Sequence, residues 1–206
     1  MQFYQDSQIN LTLTSQTNMT EEHLGGCYPG GDANTIMHDV WGWLTVEYNV
    51  KRFIDVGCGY GHALQFMGNY DMHVEGVDGY LPAIENKVCG AGISIHDYTK
   101  GKFRKADEER WDLAWSGEFL EHIEEPYIPD VMHTFQACKH VCVTHGEPGQ
   151  DGFHHVNCQT SGYWVRQFYQ YGFYYDHKAT VKLRKTDRWK AGWGRRTLMV
   201  FHNLNL

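Results

Sequence analysis

The run FIDVGCGYGHAL, Phe53 to Leu64, constrains the chain more than any other dozen residues. An apolar stretch ends in glycines at alternate positions, Gly57, Gly59 and Gly61, and a helix-forming stretch follows at once. Glycine lets the backbone take positive φ and lets a ligand approach where a Cβ would stand. A strand, a glycine turn and a helix start are the opening unit of a parallel α/β sheet, in which ligands sit at the carboxyl ends of the strands. The spacing G-x-G-x-G differs from the G-x-G-x-x-G of dinucleotide-binding turns. Asp55 lies two residues before the first glycine. An acid there suits a cationic ligand group better than a pyrophosphate.

The rest of the chain repeats the alternation. DANTIMHDVWGWLTVEYNV predicts a helix with Ile36, Met37, Val40, Trp41, Leu44 and Tyr48 on one side and Asp32 or Asn34 as cap. HVEGVDG is a second strand, ending in Asp78, where a carboxylate can accept both ribose hydroxyls. LPAIENKV is a helix with Pro82 in its first turn. GISIHDY and RWDLAWS are the next strands. A helix through Val131, Phe135 and Cys138 is expected beyond Pro126 and Pro129, then a fifth strand, KHVCVTH. TSGYWVRQFYQYGF predicts a helix with Trp164, Val165, Phe168 and Tyr169 on one face, Thr160 or Ser161 as cap and Gly172 as stop. FYYDHKATVKLRK and RRTLMVFHNL read as two late strands forming a hairpin at one edge. The expectation is one domain over 1–206: a doubly wound, mostly parallel sheet with helices on both faces. Residues 1–31, polar and glycine-rich, would be an N-terminal arm, either a lid over the site or a plain surface segment.

A formal net charge of −7 argues against a protein that coats DNA. The charge is uneven: Lys182–Arg196 holds seven basic residues and one acid, +6, so the remainder carries −13. That run either attracts an anionic partner, nucleic acid included, or is a solvated loop. The scattered cysteines read as reduced thiols, and MQFYQDSQIN has neither the basic region nor the apolar run of a signal peptide. No window has the length and purity of a membrane span, so the reading is a cytoplasmic protein without a membrane partner.

The glycine run resembles the first motif of the class I S-adenosylmethionine-dependent methyltransferases, and the resemblance covers roughly residues 35 to 205. VEGVDGY, with Asp78, Gly79 and Tyr80, is similar to their second motif. IHDY, with Asp97 and Tyr98, is similar to the third, whose acid contacts the adenine amine. WDLAWSGEFLEHI resembles the fourth, and Ser116 at its strand end would line the methionine arm. The resemblance implies a seven-stranded sheet of order 3-2-1-4-5-7-6, its last strand antiparallel. It also implies that Asp55, Gly57, Gly59, Gly61, Asp78, Gly79, Tyr80, Asp97, Tyr98 and Ser116 hold S-adenosylmethionine. A looser similarity joins HHVNCQTSGYWVRQFYQYGF to stand-alone bacterial and phage methyltransferases.

WDLAWSGEFLEHI also carries Glu118, Glu121 and His122, at i, i+3 and i+4. That spacing predicts one shared helix face after the fourth strand. Two carboxylates and an imidazole together attract a divalent cation, and the loop THGEPGQDGFHHVNCQ offers His154, or its neighbour His155, as a further ligand. Carboxylates also favour the first turn of any helix through its dipole, and His122 could simply pack. The E-x-x-E-H pattern with a later histidine is similar to that of small-RNA 3′-terminal 2′-O-methyltransferases, whose residues bind Mg²⁺ or Mn²⁺, and to ubiquinone O-methyltransferases. A metal-bound hydroxyl is a better nucleophile, and His122, His154 or His155 could instead remove its proton directly. The first expectation is therefore O-methylation of a small-molecule or sugar hydroxyl. The second is RNA 2′-O-methylation, with Lys182–Arg196 and the rings of Trp189 and Trp193 as the contact. The third is a non-catalytic cofactor-binding subunit.

Overall fold

The computed structural model describes residues 22–26, 28–186 and 192–206. Seven strands form one sheet: β1 Arg52–Val56, β2 His73–Asp78, β3 Gly92–Ile95, β4 Trp111–Ser116, β5 Cys138–Val143, β6 Phe173–Tyr175 and β7 Met199–Asn203. Their order is β3-β2-β1-β4-β5-β7-β6. β1 to β5 run parallel, and β7 pairs antiparallel with both β5 and β6. The sheet order is the one the resemblance implied.

Successive side chains on a strand point to opposite faces, and this divides the core in two. Ile54, Ala114, Val141 and Phe201 face one layer. There they meet Met132 and Phe135 of α5 (Ile128–Gln136) and Trp164 and Phe168 of α6 (Ser161–Gln170). The Phe168 and Phe201 rings stack at 3.9 Å. Their neighbours Phe53, Leu113, Cys142 and Val200 face the other layer. That layer is filled by α1 (His38–Glu47), α2 (His62–Met67) and α7 (His177–Arg184). Trp164 is fully buried, and truncating such a ring to alanine costs about 3–5 kcal/mol. The shorter helices are α3 (Leu81–Glu85), α4 (Lys105–Glu108) and α8 (Gly194–Thr197). No helix among the described residues is long and apolar enough to cross a membrane.

Several local expectations are corrected. Asp32 caps a short 3-10 turn over Ala33–Thr35, and α1 starts only at His38. Cys138 opens β5 instead of closing α5, and Tyr169 is 74% exposed on the outer side of α6. The late hairpin is only partly strand. β6 stops at Tyr175, where Asp176 accepts a hydrogen bond from the Ala179 amide at 2.8 Å and starts α7. HKATVKLR alternates in polarity and contains β-branched Thr180 and Val181, which reads as strand. The helix wins because Asp176 caps it and because Ala179, Thr180 and Leu183 share its buried face. The basic run therefore begins on a helix. Its residues 187–191, Trp189 among them, lie outside the described residues, as do 1–21 of the N-terminal arm.

His140 of β5 faces His202 of β7, with Nδ1 to Nδ1 at 2.6 Å, and His202 Nε2 donates to Asp176 at 2.7 Å. Tyr48 stacks on His140. Two Nδ1 atoms this close share one proton. Burial and then the neighbouring His202 lower the His140 pKa to about 4. An unfolded histidine titrates near about 6.5, so between these values the unfolded chain binds more protons and stability falls with falling pH. Thermal melts should show wild type losing stability from pH 7 to 5, and His140→Gln losing less. Equal losses in the two proteins would exclude this pair as the source.

Candidate active site

The strand order reverses between β1 and β4, which leaves a crevice at their carboxyl ends. Asp55 is buried one residue before the end of β1, and the glycine turn follows Val56. Gly57 has φ of +75°, and a Cβ on it would stand 2.2 Å from the Phe119 ring, so only glycine fits there. Asp78, at the end of β2, accepts the Gly59 amide and the Tyr80 amide, each at 2.7 Å. One carboxylate thus ties the first turn to the second. Burial raises the Asp78 pKa although these amides oppose it, and burial together with the Asp78 charge raises Asp55 well above the carboxylate range. The pair favours a cationic visitor.

Two cavities meet at this edge. The larger, about 810 Å³, is lined by Asp55, Gly57, Gly59, Tyr60 and Tyr80, and beyond them by Glu118, Glu121, His122 and His155. The smaller, about 90 Å³, is lined by Asp78, Gly79, Asp97, Tyr98, Phe119 and His154. Both are bounded by Gly25 and Gly26 of the N-terminal arm, and Tyr28 and Gly31 reach the larger one. Asp97 accepts from the Thr99 amide at 2.8 Å, the Thr99 hydroxyl at 2.7 Å and His23 Nε2 at 3.0 Å. Burial opposes ionisation there, but these bonds win and hold the Asp97 pKa below its usual value. Ser116 lines neither cavity. It is fully buried and its hydroxyl donates to the Val56 carbonyl at 2.9 Å, so it clamps β4 to β1 instead of meeting a ligand.

The expected helix over Glu118–His122 does not form. Glu118 takes φ of +49°, and only a 3-10 turn spans Leu120–His122. Leu120 and Glu121 are both fully buried, Leu120 in the core and Glu121 on the wall of the larger cavity. Tertiary hydrogen bonds replace the helical ladder. The Glu118 amide donates to Thr144 Oγ1 at 2.9 Å. The Glu121 carbonyl accepts the amides of Val156 at 3.0 Å and Asn157 at 2.9 Å. Asn157 Nδ2 donates to the Ile123 carbonyl at 3.0 Å.

This stitching delivers His155. Ligand atoms of Glu121, His122 and His155 lie within 4.8 Å of one another. The structure replaces His154 by His155 in this group, and His154 turns to the smaller cavity. His145 hydrogen-bonds to Ser161 and stays outside. Glu118 stands beside the group, taking a bond from Gln150 at 3.2 Å. Neither carboxylate oxygen of Glu121 has a hydrogen-bond partner of good geometry, nor has Glu118 Oε1 or His122 Nδ1. Burial and then the Glu118 charge push Glu121 well above the carboxylate range, and burial raises Glu118. Burial and the neighbouring histidines lower His122 to about 4, so it is neutral at pH 7. A buried carboxylate without partners needs a proton or a cation.

A family model described as the methyltransferase domain matches residues 44–178. The chain belongs to the methyltransferase family. The sheet order is that of the class I S-adenosylmethionine-dependent enzymes, and this methyltransferase resembles several known proteins. A ubiquinone biosynthesis O-methyltransferase of Hahella chejuensis (strain KCTC 2396) is 34% identical over 109 residues, 50% of this chain and 42% of that protein. The methyltransferase thus spans less than half of that relative. The methyltransferase domain of bacterial-CtHen1-CN superposes with a TM-score of 0.60 at 15% identity, over 84% of this chain and 100% of that one. Magnesium protoporphyrin IX methyltransferase from Synechocystis PCC 6803, with bound SAH, gives a TM-score of 0.60 at 11% identity, over 82% and 83%. At these identities the solved structures speak for the fold.

Sequence reasoning passed over Thr144, Gly146 and Asn157. A Cβ on Gly146 would lie 2.9 Å from Cys158 Sγ and 3.0 Å from Glu121 Cβ, so this glycine admits the buried acid. Nothing in their spacing signals these roles, since each acts across 25 or more residues of chain. Without metal, Glu121→Gln should stabilise the methyltransferase at pH 7 by on the order of 1–3 kcal/mol, because a neutral isostere removes the cost of an unpaired buried charge. A raised folded pKa means the wild type closes this gap as pH falls towards 4. Urea unfolding in chelator at both pH values measures it. A less stable variant at pH 7 would show that the carboxylate is already satisfied.

Proposed function

We propose that this methyltransferase transfers a methyl group from S-adenosylmethionine to a hydroxyl of a small molecule or sugar, assisted by a divalent cation. The observation that carries the reading is the buried, unpartnered Glu121 beside His122 and His155, opening on the same cavity as the glycine turn. When bound, S-adenosylmethionine supplies a methyl on a cationic sulfur, and a divalent ion supplies charge that acidifies and orients the acceptor hydroxyl.

The chain's own groups divide the work. Asp78 is placed to take ribose hydroxyls, with Gly79, Asp97 and Tyr98 around the nucleoside. Asp55, Gly57, Gly59 and Tyr80, which line the larger cavity, would receive the amino-acid end, whereas Gly61 lines neither cavity and caps α2. Glu118, Glu121, His122 and His155 fit Mg²⁺ or Mn²⁺ by their donor chemistry. Where no ion acidifies the hydroxyl, neutral His122 would be the group placed to accept its proton. The larger cavity is walled by Tyr28, Trp41, Tyr60, Tyr80, Trp115 and Trp193, and holds Asp32 and Asp151, while no Lys or Arg among the described residues lines it. Rings and carboxylates suit an uncharged, ring-shaped hydroxyl compound better than a phosphate-bearing one. The arm residues at the cavity mouth would close over the acceptor and exclude water.

An RNA 2′-hydroxyl is the second reading. It is favoured by Trp193, which lines the cavity next to the basic run. Steep salt dependence of acceptor binding would support RNA, and a flat one the small molecule. A non-catalytic role fits poorly with an unpaired buried acid at the site.

Asp78→Ala should weaken S-adenosylhomocysteine binding at least tenfold in calorimetry. Glu121→Ala should abolish turnover while leaving that binding intact. Chelator should mimic Glu121→Ala, and Mn²⁺ should restore the rate; full activity after exhaustive chelation would reject the ion and leave His122 as base. Deleting residues 1–31 should raise KM for the acceptor, and an unchanged KM would make the arm a surface segment.

A further inference from the structure

We infer that His154 is a cofactor-binding residue whose Nε2 hydrogen-bonds the adenosine of the cofactor, and that His23 positions Asp97 in the same pocket. The inference rests on the cofactor reading above and reassigns His154 from the metal group. His154 lines the small cavity together with Asp78, Asp97 and His122, and is not one of the clustered ligand residues Glu121, His122 and His155. Its Nε2 is buried and has no hydrogen-bond partner. Its backbone is held at φ of +50°, a left-handed conformation uncommon outside glycine, and the Val156 amide donates to its carbonyl at 3.0 Å. A left-handed backbone and an unpaired buried nitrogen both carry a free-energy cost, and such costs persist where a ligand repays them.

The His23 ring stands 6.4 Å from the His154 ring. His23 Nε2 binds Asp97 Oδ2 at 3.0 Å and approaches the Thr99 hydroxyl at 3.3 Å. Together with Thr99 it fixes the carboxylate of Asp97, which lines a cavity that Asp78 also lines. A nucleoside is the ligand this set recognises: hydroxyls for Asp78, an exocyclic amine for Asp97, and a ring nitrogen or hydroxyl for an imidazole that can either donate or accept. The arm and the loop after β5, far apart in sequence, each contribute one histidine to this wall.

The test uses the full chain in chelator, with calorimetric titration of S-adenosylhomocysteine and of 5′-deoxy-5′-methylthioadenosine, which keeps the nucleoside and lacks the amino acid. His154→Ala should weaken both about tenfold or more, and His154→Gln should recover part of the loss. Mn²⁺ binding, followed by electron paramagnetic resonance, should be unchanged in His154→Ala and lost in His155→Ala. His23→Ala should weaken both nucleosides less, and should add nothing in an Asp97→Asn background. Thermal melts verify folding, and His154→Gln carries the test if the alanine variant unfolds. Wild-type nucleoside affinity in folded His154→Ala and His154→Gln, or loss of Mn²⁺ with nucleoside affinity intact, overturns the assignment. Folded wild type that binds neither nucleoside overturns the cofactor reading and this inference together.

Discussion

The peptide carbonyl of Glu121 accepts two amide protons, from Val156 and Asn157, and the site depends on that junction. It holds the segment after β4 against the loop after β5. Without it, Glu118 to His122 would be free to wind into the helix that their spacing suggests. With it, the helical ladder is given up for bonds across the crevice, and the Glu121 carbonyl is satisfied by two amides from the other side. The Asn157 side chain on the Ile123 carbonyl closes the same seam. Glu121 is thereby buried facing the cavity, His122 follows it, and His155 arrives from the other side.

The sheet supplies the place and the loops supply the chemistry. Reversal of strand order between β1 and β4 opens the crevice, and the carboxyl ends of the parallel strands deliver Asp55, Asp78 and the turn after β4 to it. Acidic groups accumulate there with little to neutralise them: burial raises the pKa of Asp55, Asp78, Glu118 and Glu121 alike. Such an arrangement lowers stability in the empty protein. It is the charge pattern expected where cationic ligands supply the missing counter-charge.

Much of this was legible in the chain. Strands β1 to β5 announce themselves by apolar runs bounded by glycine, and the turn at Gly57, Gly59 and Gly61 is local chemistry that needs no distant partner. Thr160 caps α6 as its hydroxyl suggests, accepting the Tyr163 amide at 3.2 Å. α7 was hidden because its β-branched residues imitate strand alternation, although Asp176 carried the capping signal. Ser116 was misplaced because a motif identifies a strand end without saying which face a given side chain takes. That face is set by register against β1, where Ser116 meets the Val56 carbonyl.

By itself the sequence determined the alternation of strand and helix and the strand-turn-helix unit at Gly57 to Gly61, and the resemblance of its motifs to a known family implied the sheet order. The alternation and the unit depend on contacts between near neighbours or on hydrophobic periodicity, which a linear chain displays. Only the tertiary structure decided which histidine joins Glu121 and His122. His154 and His155 are adjacent, identical in chemistry and equally plausible as ligands. A left-handed backbone at His154 and the hydrogen bonds at Glu121 direct the two rings into different cavities, and that choice is made by residues more than thirty positions away.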